Sequence, residues 1–196
     1  LTDVRHRARI DYDRPESHRT DLTIFTGAGA AFFADVKPYE FANPRGWRYA
    51  YPPFLALVLA PLSRLAPQWQ AVIWYALSCG MAWLAWVEVV RISVRMGIDI
   101  RLTPGNRTAA RWVGWLAVGT ILLPALNCLQ RGQVGLANLW LLLWGYRLLS
   151  EAATWRAAFI GGVVLAVPAV IKVTPALPAV AAVATWGLAR GQRLGR

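Results

Sequence analysis

Four polar residues stand beside long apolar stretches, where each is costly unless something meets it: Asp21, Arg131, Gln133 and Lys172. Asp21 heads a segment with helical apolar spacing. A carboxylate there serves either as a helix cap or, facing a pocket, as a general base that takes the proton of an attacking hydroxyl. Asp35 and Glu40 are nearby alternatives for the second role. Arg131 and Gln133 share the tight turn Gln130-Arg131-Gly132-Gln133. A guanidinium fork suits a phosphate, and equally the headgroup region of a bilayer. Gln133 can donate and accept hydrogen bonds, so it orients a hydroxyl or caps the turn. Lys172 separates two uncharged stretches, 157–171 and 173–189, and its ammonium either reaches a phosphate or snorkels to lipid headgroups. Tyr39, Tyr49, Tyr51, Trp47 and Phe41 supply aromatic surface for an interfacial belt, or for stacking against a ligand.

Other chemistries lack support. There is no glycine-rich phosphate loop, HExxH, CxxC or Ser-His-Asp pattern, and His6 and His18 both lie in the polar start. Cys79 and Cys128 sit inside apolar stretches, so neither a disulfide framework nor a thiolate metal site is expected. The net charge is +11, but the arginines lie between apolar segments rather than along one aromatic-interleaved stripe, which speaks for membrane headgroups and against nucleic acid.

The elements that position these residues read as helices in a bilayer. Of 196 residues, 57% are apolar and 16% charged. Stretches 65–87, 112–130 and 173–189 carry no formal charge and approach the length that crosses a slab of about 30 Å. Two shorter ones, 132–146 and 157–171, span only with help from snorkelling Arg147 and Lys172. Period-2 alternation is absent, which argues against a β-barrel. The expected fold is an all-α integral membrane protein, a polytopic helical bundle of about five full spans plus a short re-entrant or oblique helix after Pro52-Pro53.

Along the chain, 1–20 reads as a polar tail and 21–50 as an outer loop with a short interfacial helix over 22–33. Residues 51–189 read as the transmembrane region and 190–196 as a basic cytoplasmic tail. The connection 91–111 carries five arginines against Asp99 alone, which places it in the cytoplasm. Counting spans from there brings 21–50, the turn 130–133 and the Lys172 to Pro175 hinge to the outer face. Glu88 and Arg91 read as a local pair near the cytoplasmic end. The chain opens on Leu1 rather than Met and stops just after an apolar helix, and is read as a fragment.

The ordered set Asp21 with Phe25, Asp35-Val36-Lys37-Pro38-Tyr39, Tyr51-Pro52-Pro53-Phe54, Gly132-Gln133 and Lys172-Val173-Thr174-Pro175 resembles the bacterial polyprenol-phosphate-mannose-dependent mannosyltransferases, multi-spanning C-type glycosyltransferases. The resemblance covers roughly residues 21–180. It implies an inverting transferase of the bacterial cytoplasmic membrane that moves mannose or a related sugar from a polyprenyl-phosphate donor to a hydroxyl on a glycolipid or glycan acceptor at the outer face. It also implies Asp21 as the catalytic base, Lys172, Arg131, Gln133 and Tyr51 around the donor phosphate or sugar, and neither cofactor nor metal. Two departures stand out. The family turn reads Gly-Gln-x-Asn, whereas the nearest asparagine here is Asn138, and the span expected before the catalytic aspartate is replaced by the charged stretch 1–20. The competing readings are a transporter or flippase for an amphipathic solute, which needs a second polar opening, and a non-catalytic membrane subunit, which tolerates loss of Asp21, Gln133 and Lys172.

Overall fold

The computed structural model describes residues 20–96 and 107–194. Residues 1–19, with His6 and His18, lie outside that range, as do Asp99 and Arg101 of the arginine-rich connection and the terminal Arg196. The chain forms α1 (Leu22–Ala31), a 3₁₀ turn (Pro38–Glu40), α2 (Pro53–Ser63), α3 (Pro67–Arg95), α4 (Arg107–Arg131), α5 (Gly135–Glu151), α6 (Trp155–Ile171) and α7 (Ala176–Leu194). The only extended pairing among the described residues is an isolated bridge between Ala42 and Arg48. The fold is all-α, as expected.

Local chemistry explains the boundaries. Pro53 and Pro67 open α2 and α3 at the first helical position, where the missing N–H costs nothing. Thr154 caps α6, its hydroxyl accepting the Ala157 N–H at 3.2 Å. α7 continues through Leu194, so most of the segment expected as a tail is helical backbone.

The 29 residues of α3 make it a ruler about 43 Å long. Three levels can be marked along it. At its start, the Gln70 amide donates to Leu65 O at 2.8 Å and Ser63 O at 3.3 Å, tying the first turn of α3 to the end of α2. One to two turns on, the Trp74 ring lies 6.1 Å from Phe25 of α1, and the Tyr75 hydroxyl donates to Gln130 O at 3.4 Å. Near its end, Glu88 accepts from Arg147 of α5. Thirteen residues, or about 20 Å, separate Tyr75 from Glu88. α1 runs parallel to α2: Phe25 meets Tyr51, Gly29 lies against the Ala56 and Ala60 backbone, and the Arg64 guanidinium stacks 3.7 Å from the Phe33 ring centroid. Both short helices therefore rise from the middle level away from the Glu88 end. The sides of α1 are almost entirely covered by protein.

α5 and α6 form the most extensive helix pair. Gly145 and Gly161 make it reciprocal: a Cβ on Gly145 would lie 2.8 Å from Leu165 N, and one on Gly161 would lie 2.7 Å from Leu149 N. Neither backbone has room to retreat, as in other tightly packed membrane helix pairs built on small residues. Gly161→Ala is therefore expected to cost about 1–3 kcal/mol by overpacking. Gly162→Ala, whose Cβ would meet nothing within 4 Å, should be neutral. Thermal melting in detergent separates the two. Equal melting temperatures would show that the helices part without penalty.

Among the described residues α3 alone is both long and apolar enough to cross a membrane; α1, α2, α6 and Ala176–Leu188 are shorter apolar helices. The apolar window of α3 is only 22% buried, unlike the core helix of a soluble protein. Large apolar side chains also face outward elsewhere, among them Ile121 and Leu123 on α4, Phe159 on α6, and Leu177 and Val180 on α7. So much exposed apolar surface marks contact with lipid or with further protein.

The Glu88 end is a charged network. Glu88 is 5% exposed at its side chain and takes both Arg147, from Nε and Nη2, and Arg91 at 3.0 Å. Arg147 continues to Glu151 at 3.0 Å, and Glu151 to Arg95 at 3.1 Å. The Glu88–Arg91 pair expected from spacing is present, but as one edge of a five-residue array tying α3 to α5.

Candidate functional site

The opposite end of α5 begins at the turn after α4, and glycine shapes it. Gly132 has φ +65°, the left-handed region that favours a residue without a side chain. Its N–H donates to Leu129 O at 3.1 Å and the Gln133 N–H to Cys128 O at 2.9 Å, the paired bonds of a Schellman ending. The turn leaves the Arg131 carbonyl free to reach α1. The Asp21 N–H donates to it at 2.7 Å and the Thr20 hydroxyl at 3.1 Å. A Cβ on Gly132 would lie 2.9 Å from Thr20 Oγ1 and 3.1 Å from Leu22 Cβ. Gly132→Ala should thus lose about 1–2 kcal/mol from backbone strain and push the turn off α1. The expected result is a lower melting temperature together with impaired activity; a variant with normal melting and full activity would show that this seam positions nothing.

The seam sets the carboxylate of Asp21 beside Gln133. Gln133 Nε2 donates to Asp21 Oδ2 at 3.0 Å across 112 residues of sequence. Asp21 occupies the N-cap position of α1, yet its side chain caps nothing. Thr20 does that work, its hydroxyl accepting the Leu22 N–H at 3.2 Å. Among the described residues Asp21 Oδ1 makes no hydrogen bond, so one carboxylate oxygen is oriented and the other is available.

Tyr51 joins Asp21 to Lys172. Its phenol is pushed up by burial and then by the Asp21 charge, so it stays protonated. Lys172 Nζ lies 5.6 Å from the Tyr51 ring centroid, at the end of α6 where Lys172 N–H bonds Pro168 O at 2.8 Å. Tyr51 in turn is held edge-on by Phe25 at 5.1 Å and by Tyr49 at 5.9 Å. Tyr49 is the anchor of this loop. Its hydroxyl donates to Pro52 O at 2.6 Å and accepts the Ala56 N–H at 3.1 Å, serving a first-turn amide that α2 cannot satisfy itself. Burial pushes the Tyr49 phenol up to about 12.

Four of the five residues singled out from sequence, Asp21, Gln133, Tyr51 and Lys172, therefore converge on one half-exposed patch at the middle level. Arg131 contributes differently: its carbonyl holds α1, while its side chain is exposed and makes no ion pair among the described residues. Neither Asp35 nor Glu40 makes a hydrogen bond or ion pair to these four residues among the described residues. Asp35 lies past the far end of α1, about 15 Å of helix from Asp21, and exposed Glu40 faces Lys37 at 4.0 Å. Sequence reasoning did not identify Thr20 as the seam residue, nor Phe25 and Trp74 as the floor. The available signal for Phe25 was its i+4 spacing from Asp21, which puts both on one face of α1.

The polar patch combines an oriented carboxylate, an amide, a phenol and an ammonium at the end of an apolar bundle. This set can deprotonate a hydroxyl and hold an anionic leaving group on an amphipathic substrate. No curated protein and no solved structure matches the chain significantly. The sequence profile of glycosyltransferase family 87 matches residues 49–193, which include Tyr51, Arg131, Gln133 and Lys172. The chain therefore belongs to glycosyltransferase family 87, a family of membrane glycosyltransferases that depend on polyprenyl-phosphate sugars.

Proposed function

We propose that this protein transfers a hexose, mannose or a close relative, from a polyprenyl-phosphate donor to a hydroxyl of a glycolipid or glycan, inverting the anomeric centre. The observation that carries the reading is the Asp21–Gln133 hydrogen bond with Lys172 held over the neighbouring Tyr51 ring. Gln133 aims the carboxylate; Asp21 Oδ1 accepts the proton of the acceptor hydroxyl as its oxygen attacks the anomeric carbon. The bond from that carbon to the phosphate oxygen breaks, and polyprenyl phosphate leaves with the electron pair. Lys172, with the Arg131 side chain at the rim, offsets the charge gathering on the phosphate. Tyr51 lies where its ring can stack on the sugar.

The placement in the membrane follows from charge. The arginine network lies about 20 Å from the site level, and the arginine-rich connection follows it directly in sequence, so that end belongs in the cytoplasm and the site at the outer face of the bacterial cytoplasmic membrane. In this arrangement α3 to α7 are the five spans. α1 and α2 stand on the outer side of the site, α2 being the short helix expected after Pro52-Pro53.

The test is sugar transfer in membrane vesicles supplied with labelled polyprenyl-phosphate hexoses. Transfer from the lipid donor is expected, with none from a nucleotide sugar. Lys172→Met should lower kcat/KM for the donor about 100-fold, and Lys172→Arg should recover part of it. Full activity in Lys172→Met would remove the ammonium from the phosphate site.

A further inference from the structure

Beside the Asp21 patch, two buried polar atoms have no protein partner among the described residues: Trp74 Nε1, a donor, and Asn138 Oδ1, an acceptor. Trp74 is 6% exposed and Asn138 5%. A packed interior rarely leaves such groups unsatisfied, and each one asks what meets it. The only other orphaned atom among the described residues, Asn43 Nδ2, lies in a loop whose turn already uses the same side chain's oxygen.

The residues around both atoms belong to one apolar cluster. Trp74 packs beside Phe25, one helical turn from Asp21, in the cluster that also contains Val134 and Ile171. Asn138 lies on α5 between Val134, four residues before it, and Leu141, three after, and Leu141 packs on that same cluster. It is five residues beyond Gln133, about 7 Å along the helix. A donor from α3 and an acceptor from α5 thus flank one apolar cluster beside the reacting groups.

The chemistry of the occupant follows from the pair. A hydroxyl both donates and accepts, and so serves both atoms. A phosphate would satisfy the indole N–H but be repelled by the amide oxygen, and a prenyl chain would satisfy neither. We propose that Trp74 and Asn138 form a hydroxyl-reading subsite beside Asp21, and that it reads the sugar ring carried by the lipid donor. The proposal rests on the transferase reading above. Tyr51, which packs on the same cluster, and Lys172 beside it are both half-exposed and form the solvent-facing side of this region. A resident water is the other hydroxyl source that would satisfy the same atoms.

Binding separates the two sources. The protein in detergent is titrated with a short-chain polyprenyl-phosphate hexose and with the same lipid phosphate lacking the sugar. Wild type, Asn138→Leu and Trp74→Phe are compared, the last keeping an aromatic ring against Phe25. Wild type should prefer the sugar-bearing lipid, and each variant should lose roughly five- to tenfold of that preference while holding the bare lipid phosphate as before. Asn138→Leu should melt no lower than wild type, because it removes an unpaired buried group. An unchanged preference in both variants would overturn the subsite and assign the atoms to water. Wild type that does not distinguish the two lipids would overturn it as well. Because binding is read without turnover, a lost preference with no transfer from any donor would retire the transferase reading and leave the subsite standing. Normal transfer with an unchanged preference would do the reverse.

Discussion

Asp21→Ala is expected to lower sugar transfer 10²- to 10⁴-fold, the range spanned by a positioned general base. The protein should insert and fold normally, because the hydrogen bonds that seat α1 use the Asp21 N–H and the Thr20 hydroxyl rather than the carboxylate. Donor binding should survive, since Lys172 and Tyr51 are untouched. Gln133→Ala should produce a milder loss, on the order of tenfold: the carboxylate remains but loses the amide that orients it. Asp35→Ala and Glu40→Ala serve as controls, and both should retain near-wild-type rates because neither carboxylate pairs with a patch residue. The informative reversal is transfer preserved in Asp21→Ala and lost in Asp35→Ala. That result would move the base to the far end of α1 and leave the Asp21–Gln133 pair as a structural contact.

A second large effect is expected at the opposite end of the bundle, and on stability instead of chemistry. Arg147→Ala leaves Glu88 buried and short of its two-point partner, a situation that costs about 3–5 kcal/mol. Arg91 remains but is itself more than half exposed, so it cannot replace a guanidinium enclosed between α3 and α5. Replacing both partners, Glu88→Gln with Arg147→Met, removes the uncompensated charge and should recover most of the loss. A double-mutant cycle read by thermal melting measures the coupling directly. Activity per folded molecule should be unchanged in the double variant, given about 20 Å between this array and the Asp21 patch. Additive single-site effects would mean that the five charges are neighbours without being partners.

The helices were largely legible before any tertiary contact was known, and the reasons are local. A proline at the first position marks α2 and α3, Gly132 marks the end of α4, and Pro168 with Lys172 marks the end of α6. Uncharged stretches bounded by charged residues predicted the existence and order of α3 to α7, because a bilayer tolerates little else between its headgroups, while several helix ends run about five to eight residues beyond those stretches. The course of α1 was less legible. Its apolar spacing suggested a helix lying on a surface, whereas in the structure it is enclosed by α2, α3 and the loop before α2. Burial on several faces and on one face produce similar patterns in ten residues containing three alanines and two glycines, small enough to sit against anything.

The candidate site divides along the same line. Residue type alone showed that Asp21, Gln133 and Lys172 needed an explanation, since polar groups flanking apolar stretches are costly unless met. Whether Asp21 capped its helix or faced a partner was undetermined by sequence, because both roles need the same residue at the same place. Only the fold decides it, by letting Thr20 take the cap and the glycine turn bring Gln133 to the carboxylate from 112 residues away. The Glu88–Arg147 pairing and the unpaired Trp74 and Asn138 atoms are tertiary in the same sense. Each depends on how α3 and α5 are rotated against one another, a quantity set by side-chain packing across the whole interface and encoded at no single position. Composition and punctuation thus determined the helices, the membrane and the list of polar suspects; long-range packing determined which suspects meet, which oxygen is left free, and what lies beside them.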